Sequence, residues 1–227
     1  MTEYELPNIS VDVVPVTLNN TTGKLEIVLG RRQFEPHLGE FALPGVLLTP
    51  HERLNEAAYR AMQTKVAIEE SEVITLLDLG TFDNPDRDPR GATVSIAKIA
   101  IVNPVGEIIG RVTSEPIDIL VQQDIPLPFD HTTIVESAAT LLSEKLLSHK
   151  TLTKALLGDT FSTKTLRIIL SQLQGIADEN NRFYDPSNLT RQLKGTNWFA
   201  PVENEKDSLP LSATTTRGRP SRVWKWV

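Results

Sequence analysis

No cysteine occurs anywhere in the 227 residues. Disulfides, thiol nucleophiles and thiolate-bound zinc are therefore outside the chemistry open to the chain. No apolar run approaches the roughly 18 to 20 residues of a membrane-spanning helix, and Met1–Ser10 has neither the basic start nor the apolar stretch of a secretory signal. These absences lead to the expectation of a cytoplasmic protein with no membrane partner. Charge of one sign is scarce in each part of the chain in turn. Residues 1–150 carry 12 Lys and Arg against 22 Asp and Glu, and residues 151–227 carry 11 against 7, so a body of net −10 precedes a tail of net +4. A basic tail on an acidic body directs the search for a polyanionic partner to the C-terminal part.

Alternation over Ile9–Leu18 reads as a strand, NNTTG at 19–23 as a turn, and KLEIVLGRR at 24–32 as a second strand. Strands follow at 72–82 and 91–102, separated by the loop DNPDRDPR. Strands and helices mixed in this way predict an α/β or α+β layer domain. A helix capped by Asp130 extends to Ser148, with Ile134, Val135, Ala138, Leu141, Leu142 and Leu146 at helical spacing. Beyond it the texture changes. A short helical piece breaks at Gly158, a helix covers about Ser162 to Gln174, and Asp185-Pro186 opens another that Gly195 stops after Lys194. NWFAPV and SRVWKWV then read as two strands flanking a Gly/Pro/Thr-rich loop. Helix, turn, helix and a two-stranded ribbon is the order of a winged helix, and the boundary falls at 1–148 against 149–227.

LPGVLLTPHERLNEAAYRAMQTKVAI, Leu43–Ile68, carries the most specific signal. It resembles the Nudix box, G-x5-E-x7-R-E-U-x-E-E-x-G-U with U apolar. Glu52 and Arg60 match at the required spacing, but Val46 stands at the first glycine and Ala67 at the late one. Where the pattern has E-U-x-E-E, the chain has Ala61, Met62, Gln63, Thr64 and Lys65. Family members that hydrolyse nucleoside diphosphates hold Mg²⁺ or Mn²⁺ with those carboxylates, and such hard cations require several oxygen ligands. A lysine about 4 Å from a divalent ion would be repelled by roughly 8 kcal/mol at an effective dielectric of about 20. The expectation is no metal site, no catalytic residue, no cofactor and no enzyme activity. Glu69, Glu70 and Glu72 lie past the helix end and replace nothing without a register shift. Read without the resemblance, 52–66 is an amphipathic helix with the stripe Leu54, Ala58 and Met62, and Arg60 pairs with Glu56 one turn away.

The flanks extend the likeness. GRRQFEPHLGEFALPG at 30–45 resembles the family's strand and loop before the box, and TFDNPDRDPRGATVSIAKIAIV at 81–102 resembles a segment of its ADP-ribose-handling branch. The resemblance implies a pocket in which Arg31, Arg32 and Arg90 meet phosphates, as guanidinium can without a metal, with Glu52 and Arg60 at the same site. A solvated loop charge is the plain alternative for each arginine.

In the C-terminal part, DPSNLTRQLK places Ser187, Asn188, Thr190, Arg191 and Lys194 on the polar side of a helix, with Leu189 and Leu193 inward. Short polar residues early and cations later suit a helix in the DNA major groove. TTTRGRPSRVWKWV concentrates Arg217, Arg219, Arg222 and Lys225, and Trp224 and Trp226 read as the inward side of a strand, so the arginines would reach a backbone or minor groove from a wing. Trp198 and Phe199 support the same ribbon. Taken together with PLPFDHTTIVESAATLL at 126–142 and GRPSRVWKW at 218–226, the chain resembles over nearly its full length the Nudix-related transcriptional regulators typified by NrtR. That resemblance implies an α/β/α sandwich around a mixed sheet followed by a winged helix, a homodimer on double-stranded operator DNA, and an ADP-ribose-type effector that releases it, usually from repression of NAD-metabolism genes. Relatives that respond to sugars, and Nudix hydrolases of ADP-ribose, are the alternatives.

Overall fold

Unbroken burial from Ser10 to Thr17 marks the central strand, because a strand wetted on one face would alternate. The computed structural model describes residues 6–104, 110–122, 124–175, 185–202 and 221–227. It divides into two units, one formed by the residues through Thr17 with Glu26–Ala138 and the other by Leu18–Leu25 with Ala139–Val227.

In the first unit, β1 (Asn8–Leu18), β2 (Leu25–Arg31), β3 (Phe41–Ala42), β4 (Gly45–Leu47), β5 (Val73–Phe82), β6 (Thr93–Val102) and β7 (Val112–Pro116) form a mixed sheet. Its order is β3-β2-β1-β6-β5, with β4 paired to β1 and β7 to β2. β1 and β6 are parallel, which sets Ser10 opposite Ser95, and β5 returns antiparallel to β6. Helix α1 (Leu54–Val66) lays Ala57, Ala58, Ala61, Met62 and Val66 on Val11, Val13, Val28, Ala100 and Val102. These strand residues alternate and so share one face of the sheet. The opposite face buries Val14, Val16, Leu29 and Ile99 just as fully, and it is on this face that Ser10, Asp12 and Ser95 lie. α1 ends at Ala67, whose left-handed backbone (φ 55) returns its N–H to the Met62 carbonyl. Helices α2 (Ile117–Val121) and α3 (His131–Lys145) follow. The long strands lie within two residues of their sequence limits. β3, β4 and β7 have two to five residues each, too few to show a periodicity.

The second unit contains α4 (Lys150–Leu157), β8 (Thr160–Ser162), α5 (Thr163–Leu173), α6 (Pro186–Gly195), β9 (Phe199–Pro201) and β10 (Val223–Trp226). Local chemistry sets each helix start. His149 Nδ1 accepts from Leu152 N, Ser162 Oγ from Thr165 N, and Asp185 Oδ1 from Ser187 N and Asn188 N, with Pro186 in the first turn of α6. Gly158 terminates α4 with φ 69. The ribbon is a three-stranded sheet in the order β8-β10-β9 rather than two strands. β8 escapes a sequence reading because its three residues merge into the cap of α5. Trp224 is fully buried and donates to Thr163 Oγ1 at 2.9 Å, while Trp226 stacks on Trp198 at 6.5 Å and packs on Phe199. The tryptophans are thus core and ribbon support, as their alternation indicates. The turn at Leu18–Leu25 belongs to this unit, where Gln172 of α5 accepts from Leu25 N at 2.8 Å and donates to its carbonyl at 3.4 Å.

Candidate functional site

A cavity of about 500 Å³ opens in the first unit. Its floor is ionic and its rim is cationic. Asp12, in the middle of the apolar central strand, is only 5% exposed. Its Oδ2 accepts from Ser95 Oγ at 2.6 Å, Ser10 Oγ at 3.1 Å and Arg87 Nη2 at 3.1 Å. Arg87 is equally buried and closes bidentately on Asp130, Nε to Oδ2 at 2.8 Å and Nη2 to Oδ1 at 2.7 Å. Its Nη1 donates to Ser10 Oγ at 3.2 Å. Asp130 thus spends both oxygens on Arg87 beside the start of α3, and not on the helix cap that the sequence suggests. Gly45 is needed beneath this group, since a Cβ there would stand 1.9 Å from Asp12 Oδ1.

His131 completes the floor. Its Nδ1 accepts from Leu43 N at 3.1 Å, so the ring proton sits on Nε2, which faces Asp12 Oδ1 at 3.8 Å. Burial lowers its pKa from the ordinary 6.5, against the opposing pull of Asp12 and Asp130. An unfolded histidine takes up a proton below 6.5 while the folded one resists, so stability falls as pH drops from 6.5 toward the lowered folded value. His131→Asn keeps an acceptor for Leu43 N and abolishes the titration. Urea denaturation at about pH 8 and about pH 5.5 is expected to show the variant losing less stability on acidification than the parent; parallel pH dependences would contradict this.

Four of the five sequence-selected pocket residues line the cavity: Arg31, Arg32, Arg60 and Arg90. Glu52 reaches it through Arg60. Arg60 donates to Glu52 from Nε at 2.7 Å and Nη2 at 2.8 Å and also to the Leu47 carbonyl, so its partner is Glu52 and not Glu56, which instead accepts from Arg53 N. Hydrogen bonds from Arg60, then Thr49, lower the Glu52 pKa from 4.5 to about 2. Arg90 is clamped by Asp88 at 2.7 and 2.9 Å. Arg32 and Arg90 hold their guanidinium carbons 4.7 and 5.8 Å from the Phe129 ring centre. Burial and the like charge of Arg90 lower the Arg32 pKa. Two cations converging on one ring face a cavity suited to an anion.

A divalent ion does not fit this donor set. Position 61 is a buried alanine, Thr64 Oγ1 turns back to the Arg60 carbonyl at 2.6 Å, and position 65 is a cation. Among the described residues no group of three or more His, Asp or Glu side chains could hold a metal. Glu69, Glu70 and Glu72 form a short turn after α1, in which Glu69 N donates to Glu72 Oε2 at 2.8 Å, and none of them lines the cavity. Asp12, Arg87 and His131 are the floor residues that sequence reasoning missed. The available signal was an aspartate inside the apolar run of β1.

On α6, Ser187, Asn188, Arg191 and Lys194 are exposed and Thr190 is half-buried, while Leu189 and Leu193 face the core. Arg222 is exposed at the start of β10. Arg217 and Arg219 lie outside the described residues.

No protein-family model matches the chain. It is 33% identical over 114 residues to an ADP-ribose pyrophosphatase of Methanocaldococcus jannaschii, covering 49% of this chain and 64% of that protein. It is 28% identical over 148 residues to the ADPR responsive transcriptional repressor NtrR of Acinetobacter baylyi, covering 63% and 57%. The chain thus spans about three fifths of the length of each of these relatives. Shewanella oneidensis NrtR, solved with a 27mer DNA, superposes with a TM-score of 0.67 at 23% identity over 96% of this chain and 93% of that one. The Nudix domain of the same protein, solved with ADP ribose, gives 0.51 at 25% identity over 61% and 90%.

Fold and site define the class: a mixed α/β domain of the Nudix type with an altered box, followed by a smaller helical module. Within that class the chain is similar in sequence to the A. baylyi NtrR repressor and in fold to Shewanella NrtR.

Proposed function

We propose that the protein is a DNA-binding transcriptional regulator, a repressor, whose Nudix-like domain at 1–148 binds ADP-ribose or a related nucleotide without hydrolysing it. Residues 149–227 form its winged-helix DNA-binding domain. The observation that carries this reading is the cavity itself, cationic at the rim and built on an ion network whose carboxylates are held by Arg87 and Arg90 and, among the described residues, do not gather into a metal site. A site of that composition has affinity for a diphosphate but no means to activate water through Mg²⁺.

The order α4-β8-α5-α6-β9-β10 fits a winged helix. α6 would enter the major groove with Ser187, Asn188 and Thr190 toward base edges and Arg191 and Lys194 toward phosphates, and Arg217, Arg219 and Arg222 would serve the wing. A homodimer in the cytoplasm would place two such modules on a two-fold operator. The A. baylyi repressor and the DNA and ADP-ribose complexes of the Shewanella protein support binding of DNA and of an ADP-ribose-type effector, and NAD-metabolism genes are the proposed targets. Effector release requires that ADP-ribose prefer the conformation that does not fit DNA. A shift from about 1:99 to about 99:1 needs roughly 5.5 kcal/mol of differential binding.

Fluorescence anisotropy with the promoter fragment of the gene's own operon is expected to show binding that weakens steeply with salt, through counterion release, and that saturating ADP-ribose abolishes. Operator affinity unchanged by ADP-ribose would defeat the reading. The likeness to the M. jannaschii pyrophosphatase favours a second one, hydrolysis, which predicts AMP release with Mg²⁺ at low protein concentration. Competition by a sugar phosphate, with no effect of ADP-ribose, would instead indicate a sugar-responsive regulator.

A further inference from the structure

Five arginines line the cavity, and every one is already engaged. Arg60 is held by Glu52, Arg87 by Asp12 and Asp130, Arg90 by Asp88, and Arg31 and Arg32 donate to the carbonyls of Gly39 and Pro36. Lys65 is different. It lines the same cavity from the last turn of α1, is exposed, and no acceptor among the described residues lies within hydrogen-bonding or ion-pairing distance of its ammonium. The backbone around it is fitted to that placement. β2 approaches the end of α1 so closely at Gly30 that a Cβ would stand 2.8 Å from the Lys65 carbonyl oxygen and 3.2 Å from Val66 Cγ1. Ala67 then stops the helix in the left-handed conformation, which keeps Lys65 in its final turn.

We propose that the Lys65 ammonium is the phosphate-neutralising charge of this pocket, occupying the role that a divalent cation would have beside a carboxylate-bearing helix, so that binding of a nucleoside diphosphate is independent of metal. This deepens the effector reading above and rests on it. An ammonium without an internal partner gives its charge to a ligand at no cost in broken ion pairs, whereas Arg60, Arg87 and Arg90 already share theirs with carboxylates, and Arg31 and Arg32, though unpaired with any acid among the described residues, are tethered through Nε to loop carbonyls. The same positive charge explains the disagreement between this helix and a metal: cation and lysine compete for one position.

Isothermal titration of the full-length protein with ADP-ribose is performed in EDTA and in millimolar Mg²⁺, for the parent, Lys65→Met and Lys65→Arg, with adenosine and inorganic pyrophosphate as further probes. The parent affinity for ADP-ribose is expected to agree within about twofold in the two buffers, to fall about tenfold in Lys65→Met, and to be largely restored in Lys65→Arg. Any adenosine affinity should be unchanged by the substitution, since no phosphate is present. A Lys65→Met protein that binds as the parent does, or a parent that needs Mg²⁺ to bind, overturns the proposal. If ADP-ribose fails to bind but pyrophosphate binds in a Lys65-dependent way, the nucleotide reading falls and the role of Lys65 stands; if neither ligand shows dependence on Lys65, the proposal falls as well.

Discussion

Arg87→Met is expected to destabilise the protein by about 3 to 5 kcal/mol, the cost of leaving a buried ion network with one partner removed. Arg87 holds Asp130 through two hydrogen bonds, Asp12 through one and Ser10 through one. Methionine has a similar length and an apolar body, so packing is largely retained and charge compensation is not. Asp12 would keep its two serine donors and His131 nearby, but both carboxylates would face the cavity floor without a cation. With a urea dependence of about 2 kcal/mol per molar, the unfolding midpoint should drop by roughly 1.5 to 2.5 M. Arg87→Lys should recover only part of this, because a single ammonium cannot reproduce the paired contacts to Asp130. Replacing the orphaned partners in turn, as Arg87→Met with Asp12→Asn and with Asp130→Asn, should be less destabilising than the separate losses combined, since a neutral amide no longer needs the missing cation. An Arg87→Met protein with the parent midpoint would show that the network contributes nothing to stability.

The same residue shows where the sequence was silent. The four long strands, α1, α5 and α6 are legible because their signals are local: alternation, helical spacing, and caps such as Asp185-Pro186 and Ser162. The cationic rim was legible too, because Arg31, Arg32, Arg60 and Arg90 stand at or beside motif positions, and each of them borders the cavity. The floor is built differently. Arg87 meets Ser10, Asp12 and Asp130 across separations of 77, 75 and 43 residues, and no periodicity encodes such a pairing. Within DNPDRDPR the sequence reading selects Arg90 as a phosphate ligand and passes over Arg87, three positions earlier. Only the tertiary fold distinguishes them. A buried arginine needs paired, hydrogen-bonded partners, and here they come from β1, at Ser10 and Asp12, and from Asp130 at the start of α3, segments that only the folded chain brings together. Glu52 illustrates the converse: its partner Arg60 lies eight residues away, beyond the one-turn spacing at which helix pairs are sought, because Glu52 precedes the helix.

The division of labour within the site follows from these contacts. A network of one arginine shared by two carboxylates fixes the shape of the floor and leaves no positive charge to offer a ligand. The rim carries what remains. Substitutions at the floor should therefore act first on stability, and substitutions at Lys65 first on ligand affinity. An exposed residue with no internal partner can change without loss of fold, which is why the two experiments separate architecture from recognition.

In the second unit the largest expected effect belongs to Trp224→Ala. Trp224 is the central buried side chain of β10, the middle strand of its sheet, with β8 on one side and β9 on the other. Truncating a fully buried tryptophan costs about 3 to 5 kcal/mol through lost transfer energy and the cavity left behind. Part of that is the hydrogen bond from Nε1 to Thr163 Oγ1, worth roughly 1 kcal/mol, which Trp224→Phe removes together with the packing of the smaller ring of the indole while keeping most of the aromatic bulk. Loss of the strand's anchor also acts on α5, since Thr163 N donates to the Arg222 carbonyl and Lys164 N to Ser221 Oγ, so the first turn of α5 and the last strand are tied at the same point. Chemical denaturation should place Trp224→Phe much nearer the parent than Trp224→Ala, and DNA retention should decline in the same order if this unit is the DNA-binding module. Near-parental stability of Trp224→Ala would mean that β10 is not the structural centre of its sheet. A Trp224→Ala protein that unfolds early yet retains DNA with parental affinity would instead separate the stability of this unit from nucleic-acid binding and remove the module from the proposed interface.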